Sequence, residues 1–282
     1  MGSTAQRGSL AREQLRQRIV RVATVLLALA TAMPFLWFVL LGFKSGEDIL
    51  AGSTRILFTP TLANYKGLLN GKFFDSFGTS TIVSVSSTVL SLLIGVPGAY
   101  GLSRVSMGRG RMISMAILVS RMLPPVAFAI PYFLVYRYTG LLDTRTGLVI
   151  IYMTFNLSLV VWLMRSFFDN CPRELEEAAA IDGASRFEIF RMVVLPISGP
   201  AIATTAILCF LYAWNDFFFA LTLTRSHAAT APIQIVNFMN YEGWEWGKIA
   251  AAATVIMAPV LLISLLLRRY LVSGMTAGAV KQ

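Results

Sequence analysis

The sequence predicts an all-α polytopic membrane protein with six transmembrane helices and a cytoplasmic helix-turn-helix loop. Two observations predict this fold. First, 56% of the 282 residues are hydrophobic and only 13% are charged, whereas soluble domains carry about 25% charged residues. Second, six apolar runs reach the length of about 20 residues that a helix needs to cross a bilayer. A soluble fold would have to bury all six helices, and too few polar residues remain to cover such a core.

Each of the six runs is expected to form a helix, because hydrocarbon offers the backbone no other hydrogen-bond partners. The first run follows five arginines and imitates a signal peptide, but it continues unbroken through Leu41, which favours an uncleaved anchor. The third run is interrupted by Arg121, and the fifth contains Asp216. The predicted spans are residues 22–42, 80–102, 112–136, 146–164, 200–222 and 249–267.

Prolines within these spans can kink helices or unwind them locally. Such breaks would suit a pathway that opens alternately to each side of the membrane. They can equally be static packing features, since proline is common in membrane helices. The prolines concerned are Pro34, Pro97, Pro124, Pro125, Pro131 and Pro259.

Basic residues in the short loops predict the orientation in the membrane. With the N-terminus inside, the inner segments hold 15 of the 24 Lys and Arg residues, and the outer segments hold 8. Both termini are therefore expected in the cytoplasm, and the chain is expected to be a multi-pass protein of the inner (plasma) membrane. The net charge of +10 mainly reflects this bias, and its spread over many loops argues against a nucleic-acid surface.

This topology divides the chain into three parts. Residues 1–21 form a cytoplasmic N-terminal tail, residues 22–272 form the transmembrane domain, and residues 273–282 form a cytoplasmic C-terminal tail that is rich in small residues.

The residue inventory argues against an enzyme. His227 is the only histidine, so no histidine-rich metal site can be built. Cys171 and Cys209 lie too far apart in the predicted topology for a disulfide framework or a CxxC metal site. No GxxxxGK[ST] phosphate-binding loop occurs. The sequence therefore predicts no catalytic, cofactor-binding or metal-binding residues, and any ATP used for transport must bind another chain.

Residues 172–196 lie in the longest inner segment and show helix signals; they are called the 172–196 loop below. Asn170-Cys171-Pro172 predicts a helix start, and three glutamates follow where the helix dipole favours carboxylates. Asp182-Gly183 predicts a corner, because glycine readily adopts the left-handed geometry that ends a helix. A second helix is expected from residue 184 to about 195, broken by Pro196 and Pro200. Its apolar ridge would be Phe187, Phe190 and Val194.

The residues alone leave open whether this loop merely packs on its own helices. The order Glu177-Ala178-Ala179, Asp182-Gly183-Ala184 and Val193-Val194-Leu195-Pro196 resembles the EAA loop of the membrane-spanning permeases of binding-protein-dependent ABC importers. The family pattern is E-A-A-x-x-x-G, nine residues, then I-x-L-P, and here Val193 replaces the isoleucine. The resemblance implies that this loop docks in a cleft of a cytoplasmic ATPase subunit. The residues expected to do so are Glu177, Ala178, Ala179, Asp182, Gly183, Ala184, Phe187 and Phe190.

Shorter matches resemble the carbohydrate importers, and among them the maltose type. The matching residues are Asn64-Tyr65, Ala99-Tyr100, Arg104, Ala213-Trp214-Asn215-Asp216 and Gly278-Ala279-Val280-Lys281. The resemblance implies a complex with a second permease subunit, two ATPase subunits that bind ATP and Mg, and an extracytoplasmic solute-binding protein. It also implies that the outer loop at 224–247 contacts the binding protein and that the C-terminal tail reaches the ATPase subunits.

Charged side chains inside a membrane span cost on the order of 3 kcal/mol, so Arg121 and Asp216 are expected to face protein or water. Contact with substrate and separate structural partners both explain them. Polar and aromatic neighbours could supply the hydrogen bonds and stacking that a polyhydroxylated ligand needs, or could bond helix to helix. The possible substrate path is Arg121, Asn156, Tyr212, Trp214, Asn215 and Asp216.

The sequence thus predicts the permease subunit of an ATP-driven importer for a sugar or polyol, which forms half of the translocation pathway. Two alternatives remain at this point: an ABC permease for a non-carbohydrate solute, and a polytopic receptor or scaffold whose 172–196 loop binds another kind of partner.

Overall fold

The computed structural model describes residues 2–52, 57–69, 71–105, 107–240 and 243–277. Within them the regular secondary structure is helical apart from one pair of two-residue antiparallel strands, which confirms the all-α class. Four helices are long and apolar enough to cross a membrane, and two pairs of bent helices raise the number of candidate spans to six.

The helices are α1 Gly2–Gly42, α2 Gly46–Leu50, α3 Ala63–Leu69, α4 Phe73–Arg104, α5 Met107–Met122, α6 Ala129–Thr139, α7 Arg145–Asp169, α8 Glu174–Ile181, α9 Arg186–Glu188, α10 Leu195–Ile197, α11 Gly199–Asn215, α12 Phe218–Leu223, α13 Ala231–Val236 and α14 Trp246–Ala277. A 3₁₀ turn at Pro125–Phe128 precedes α6, a π-helical segment at Ile189–Val194 lies between α9 and α10, and the strands are β1 Met239–Asn240 and β2 Gly243–Trp244.

Both terminal helices are longer than the spans predicted within them. Helix α1 ends at Gly42 as predicted, but it begins at Gly2 and so includes most of the residues expected to form a separate tail. Helix α14 continues to Ala277 and includes residues 273–277 of the predicted C-terminal tail. The remaining residues, 278–282, lie outside the described part of the chain.

Proline breaks one span and leaves others intact. The 108–122 and 125–139 helices meet at 88°, and Pro124 between them is extended, with φ −63° and ψ 129°, because a residue followed by proline is excluded from helical geometry. Pro34, Pro97 and Pro259 lie inside continuous helices. The third span is therefore broken by the Pro124-Pro125 pair, just past Arg121.

The fifth span was predicted as one helix over residues 200–222, which is wrong. Helix α11 ends at Asn215, Asp216 is extended with φ −65° and ψ 128°, and the chain becomes helical again only at Phe218. A second bend, of 74°, separates α11 from the preceding 186–197 helix.

The chain divides into two compact units, residues 1–70 with 238–254, and residues 71–237 with 255–282. In the first unit, Asn64 organises the end of α1: its side-chain amide donates to the carbonyls of Gly42, at 3.0 Å, and Lys44, at 2.8 Å. Tyr65 packs against Phe43 with ring centroids 5.0 Å apart. Asn64 thus satisfies carbonyls at and just past the end of a helix, which leaves them open, and Tyr65 adds an aromatic contact at the same place.

The second unit is built on α4 and α7, which run parallel. They approach closely at Gly95, where a Cβ atom would lie 2.6 Å from the Val160 side chain. Two buried apolar clusters flank this crossing. One contains Val83, Tyr152 and Phe219, and the other contains Ala99, Met164 and Phe168 together with Ile189 and Val194 of the 172–196 loop.

At the end of this unit away from the 172–196 loop, Asp143 holds the turn before α7 against residues 225–228. Its carboxylate accepts hydrogen bonds from the backbone N–H groups of Arg225, Ser226, His227 and Ala228, at 2.9 to 3.2 Å. Burial raises the pKa of Asp143, but these four donors outweigh it and lower the pKa to about 2. The carboxylate therefore stays charged, and the turn stays closed, until the pH falls toward that value.

Candidate functional site

The 172–196 loop forms the predicted helix, corner and second helix, with a different start. Asn170 ends α7 instead of starting α8, and α8 begins at Glu174, where the Arg173 carbonyl accepts from the N–H groups of Glu176 and Glu177. The corner lies at Gly183 as predicted, with φ +85°. A side chain there meets no atom within 4 Å, so the left-handed backbone, and not space, is what favours glycine.

The second helix begins with a capping box. The Ser185 hydroxyl accepts from the Glu188 N–H, and the Glu188 carboxylate accepts from the Ser185 N–H, which satisfies two donors at the helix start. The helix then widens into the π-helical segment, where the Leu195 N–H bonds to the Phe190 carbonyl. Pro196 was expected to break this helix, which is wrong, because the helix continues through Pro196 to Ile197. The chain bends only after Ile197.

The side chains of the loop divide into an inner and an outer set. Ala179, Ala184 and Phe190 pack against the buried cluster of α4 and α7. The predicted ridge is therefore split, since Phe190 and Val194 face the bundle whereas Phe187 is 69% exposed. Leu175 and Ile181 are exposed as well, at 45% and 87%. The exposed members of the predicted set are Glu177, Ala178, Asp182, Gly183 and Phe187.

Glu176 attaches α8 to the bundle, and we call its contacts with Tyr100 and Arg104 the Glu176 junction. The Tyr100 hydroxyl donates to Glu176 Oε2 at 2.8 Å. The Arg104 guanidinium pairs with the same carboxylate through Nε, at 3.1 Å to both oxygens, and through Nη2. Arg104 Nη1 also donates to the Phe168 carbonyl at 3.1 Å. One carboxylate therefore joins the loop to α4, and Arg104 joins both to α7.

The junction is partly shielded from water, with Arg104 and Glu176 side chains only 17% and 13% exposed. Burial raises the pKa of Glu176, but the hydrogen bonds from Arg104 and Tyr100 outweigh it, so the net pKa lies below the usual range. Two further aromatic contacts lie at the site. The centre of the Tyr100 ring is 5.0 Å from that of Phe190 and 5.6 Å from that of Phe168. Sequence reasoning selected the neighbouring Glu177 and missed Glu176. The available signal was the spacing of Tyr100 and Arg104, one helical turn apart at the end of a span.

Among the six residues of the possible substrate path, Arg121 and Tyr212 lie together. The Arg121 guanidinium carbon is 4.8 Å from the centre of the Tyr212 ring, and Arg121 Nη1 donates to the Phe155 carbonyl at 3.4 Å. Both side chains are half-buried. Arg121 and Asp216 form no ion pair with each other.

Asp216 has a backbone role at the break in the fifth span. Its carboxylate accepts from the Phe219 N–H at 3.0 Å, which satisfies a donor at the start of α12 and places negative charge at the positive end of that helix. The carboxylate of this extended residue thus satisfies a backbone N–H group near the break in the span.

The other three residues bond within the protein. Asn156 is fully buried and its side-chain amide donates to the Cys209 carbonyl at 3.3 Å. Trp214 is 1% exposed and its indole N–H donates to the Ile256 carbonyl at 3.2 Å. Asn215 is exposed and donates to the Leu211 carbonyl at 2.8 Å. Asn156 and Trp214 thus join helices, while Arg121, Tyr212, Asn215 and Asp216 remain accessible.

The Glu176 junction yields a prediction for the isolated permease. Glu176→Gln removes the counter-charge of Arg104 and should weaken the docking of α8 by about 2 kcal/mol, the scale of hydrogen bonds to charged groups. Hydrogen exchange of the α8 amides should accelerate, whereas the control Glu177→Gln, which alters an exposed carboxylate, should leave it unchanged. Because the pKa of Glu176 is lowered, the wild-type protection should hold above the usual glutamate pKa and be lost only in acid below it. Equal exchange in both variants would contradict the role of Glu176.

Comparison with known proteins identifies the family. Residues 87–277 match the family described as the binding-protein-dependent transport system inner membrane component. The trehalose transport system permease protein SugB of Mycobacterium tuberculosis is 38% identical over 253 residues, which cover 88% of this chain and 92% of SugB. The trehalose/maltose transport system permease protein MalG of Thermococcus litoralis is 33% identical over 276 residues, which cover 96% of this chain and 99% of MalG.

A solved structure shows the same architecture. It is that of a bacterial ABC transporter involved in the import of the acidic polysaccharide alginate, and one of its chains matches with a TM-score of 0.75 and 27% identity. The match covers 92% of this chain and 97% of that one. The broken spans and the anchored 172–196 loop are thus features of a transport subunit, and the chain belongs to the inner-membrane permease components of binding-protein-dependent ABC importers.

Proposed function

We propose that this chain is one of two permease subunits of an importer for a sugar or polyol, driven by two partner subunits that bind ATP and Mg. A solute-binding protein would deliver the solute on the outer side. The carbohydrate class is supported by the two relatives named for trehalose or for trehalose and maltose, and by the alginate importer. Family membership leaves no room for the receptor or scaffold alternative.

The observation that carries the coupling role is the exposed apolar surface of an otherwise well-anchored loop. Leu175, Ile181 and Phe187 are exposed on α8 and α9, although Glu176 and Phe190 hold the same loop firmly to the bundle. Several exposed apolar side chains within one short, polar and charged segment support a protein-binding role for that segment. A rigid attachment would let a movement of the ATPase subunit pull directly on α4 and α7, which alternating access requires.

The solute would pass the accessible residues at the two breaks in the spans. Arg121, Tyr212, Asn215 and Asp216 offer a cation, an aromatic face, an amide and a carboxylate, which suit the hydroxyl groups and ring faces of a sugar. The buried Asn156 and Trp214 support this region from behind by joining helices.

The coupling role is tested in the complete complex reconstituted with its binding protein. Gly183→Pro is incompatible with φ +85° and removes the hydrogen bond from the Gly183 N–H to the Ala180 carbonyl, and Phe187→Ser removes apolar contact with the ATPase. Each should reduce ATP hydrolysis stimulated by loaded binding protein about tenfold, as expected for losses of 1–3 kcal/mol. The control Leu50→Ser, which removes an exposed apolar side chain outside the 172–196 loop, should have no effect. If both loop variants kept the wild-type rate of ATP hydrolysis stimulated by loaded binding protein, the coupling role would be contradicted.

The complex, reconstituted in vesicles with its binding protein, also tests the solute class. Uptake of trehalose, maltose or alginate oligosaccharide, and not of methionine, supports a carbohydrate importer. Uptake of methionine alone would overturn the carbohydrate class and leave the coupling role intact.

The proposed orientation places both termini and the 172–196 loop in the cytoplasm. In a Cys171→Ala, Cys209→Ala background, an impermeant maleimide should label Ser226→Cys in intact cells and Arg109→Cys only after permeabilisation. Both positions are exposed, so a difference reports the side of the membrane. Labelling of Arg109→Cys in intact cells would show that this position faces outward and would contradict the proposed orientation.

A further inference from the structure

A cavity of about 700 Å³ lies between α5 and α7, at the end of the bundle that carries the 172–196 loop. It is separate from the Glu176 junction and from the possible substrate path. Its wall contains three arginines, Arg111, Arg165 and Arg173, and a single acidic residue, Asp169.

The arginines of this cavity play two different parts. Arg165 is committed to the fold: it donates to the Gly110 carbonyl and, at 2.7 Å, to the Ser114 hydroxyl, and its Nε lies 3.3 Å from the Asp169 carboxylate. It thereby holds α5 to α7 and neutralises Asp169. Arg111 and Arg173 are exposed and form no ion pair with any residue in the described part of the chain. Arg173 also lies close enough to Glu176 to lower the pKa of that carboxyl. The lining of the cavity, with three arginines and one aspartate, therefore carries a net positive charge.

The residues that line the cavity change from basic to apolar along the axes of α5 and α7. Leu118 lies seven residues beyond Arg111 on α5, and Trp162 lies seven residues before Asp169 on α7, a rise of about 10 Å in each case. Both residues, with Met115, line the cavity, and Trp162 is 48% exposed. The basic end thus lies at the boundary of the spans, and the apolar end reaches toward the middle of the membrane.

We propose that this cavity binds an anionic phospholipid, with its phosphate at Arg111 and Arg173 and an acyl chain along Met115, Leu118 and Trp162. Guanidinium groups bind phosphate oxygens through paired charged hydrogen bonds, and basic pockets between spans suit anionic headgroups. A soluble phosphate would use only the basic end, whereas a phospholipid fits both the basic and the apolar end. The proposal goes beyond the transport function and requires only that α5 and α7 cross the membrane.

A bound lipid would act at the end of α7 that leads into the 172–196 loop. Arg173 lies directly before α8, so its phosphate contact would add a second attachment of the loop beside the Glu176 junction. Anionic lipid would then stabilise the geometry through which the loop acts on the bundle.

The proposal is tested by quenching of Trp162 fluorescence in the intact complex, reconstituted with lipids that carry brominated acyl chains. The contribution of Trp162 is the difference between wild type and Trp162→Phe. Brominated phosphatidylglycerol should quench it at a lower mole fraction than brominated phosphatidylcholine. Arg111→Gln should raise the required fraction of phosphatidylglycerol about fivefold, from about 1 kcal/mol per basic residue, whereas Arg109→Gln, an equal charge change outside the cavity, should preserve the preference.

Four outcomes would overturn the proposal. Equal quenching by the two lipids in the wild type would show that the cavity has no headgroup preference. An equal effect of Arg109→Gln and Arg111→Gln would assign the preference to general surface charge. Loss of the preference on adding inorganic phosphate would show that the basic end binds free phosphate instead of lipid. A preference seen in the permease without its ATPase subunits, and absent from the intact complex, would assign the basic end to a protein contact.

Discussion

The connection between the 172–196 loop and the membrane helices depends on the Glu176 carboxylate. Tyr100 and Arg104 lie one turn apart on the same face of α4, so a single carboxylate can accept from both. Arg104 also reaches the last turn of α7 through the Phe168 carbonyl. Because the ion pair is partly buried and additionally hydrogen-bonded, it is geometrically specific in a way that an exposed ion pair is not. Three elements that are distant in sequence thereby meet at one point.

This constraint explains why the loop can be both fixed and exposed. Its inner face, Ala179, Ala184 and Phe190, fits the apolar cluster of α4 and α7, and small side chains allow α8 to approach closely. Its outer face keeps Ile181 and Phe187 in solvent. A loop held only by apolar contacts could slide along the bundle, whereas a carboxylate bonded from two sides fixes its position. The junction thus restrains the loop relative to the bundle, so that the two are expected to move together.

The breaks in the third and fifth spans show how irregular backbone is tolerated in a membrane protein. An extended residue there leaves N–H and C=O groups that hydrocarbon cannot satisfy. At Asp216 the side chain itself bonds to the Phe219 N–H, and Phe219 is buried in the protein core. Arg121 faces the Tyr212 ring and the Phe155 carbonyl. Charged residues in the spans therefore mark the places where helices are interrupted and where a polar path can form.

Features that depend on local chemistry could be predicted from the sequence. The apolar runs gave the number of spans, Asp182-Gly183 gave the corner, and the end of α1 at Gly42 followed from the end of an apolar run. Features that depend on distant partners could not. Glu176 finds its partners 72 and 76 residues earlier in the chain, and nothing in the local pattern distinguishes it from Glu177. The break at Asp216 lacks a nearby proline or glycine, so hydropathy alone predicted one continuous helix.

The central claim is that α8 moves with α7 as one rigid body during the transport cycle. Electron-spin distance measurement between labels at Ala180→Cys and Ser166→Cys, in a complex otherwise free of reactive cysteines, tests it directly, because both positions are exposed and both lie outside the Glu176 junction. The account predicts the same narrow distance distribution in the nucleotide-free and ATP-bound complexes. A shift of several ångströms, or a second population that appears with ATP, would show that the loop moves independently and would contradict the account.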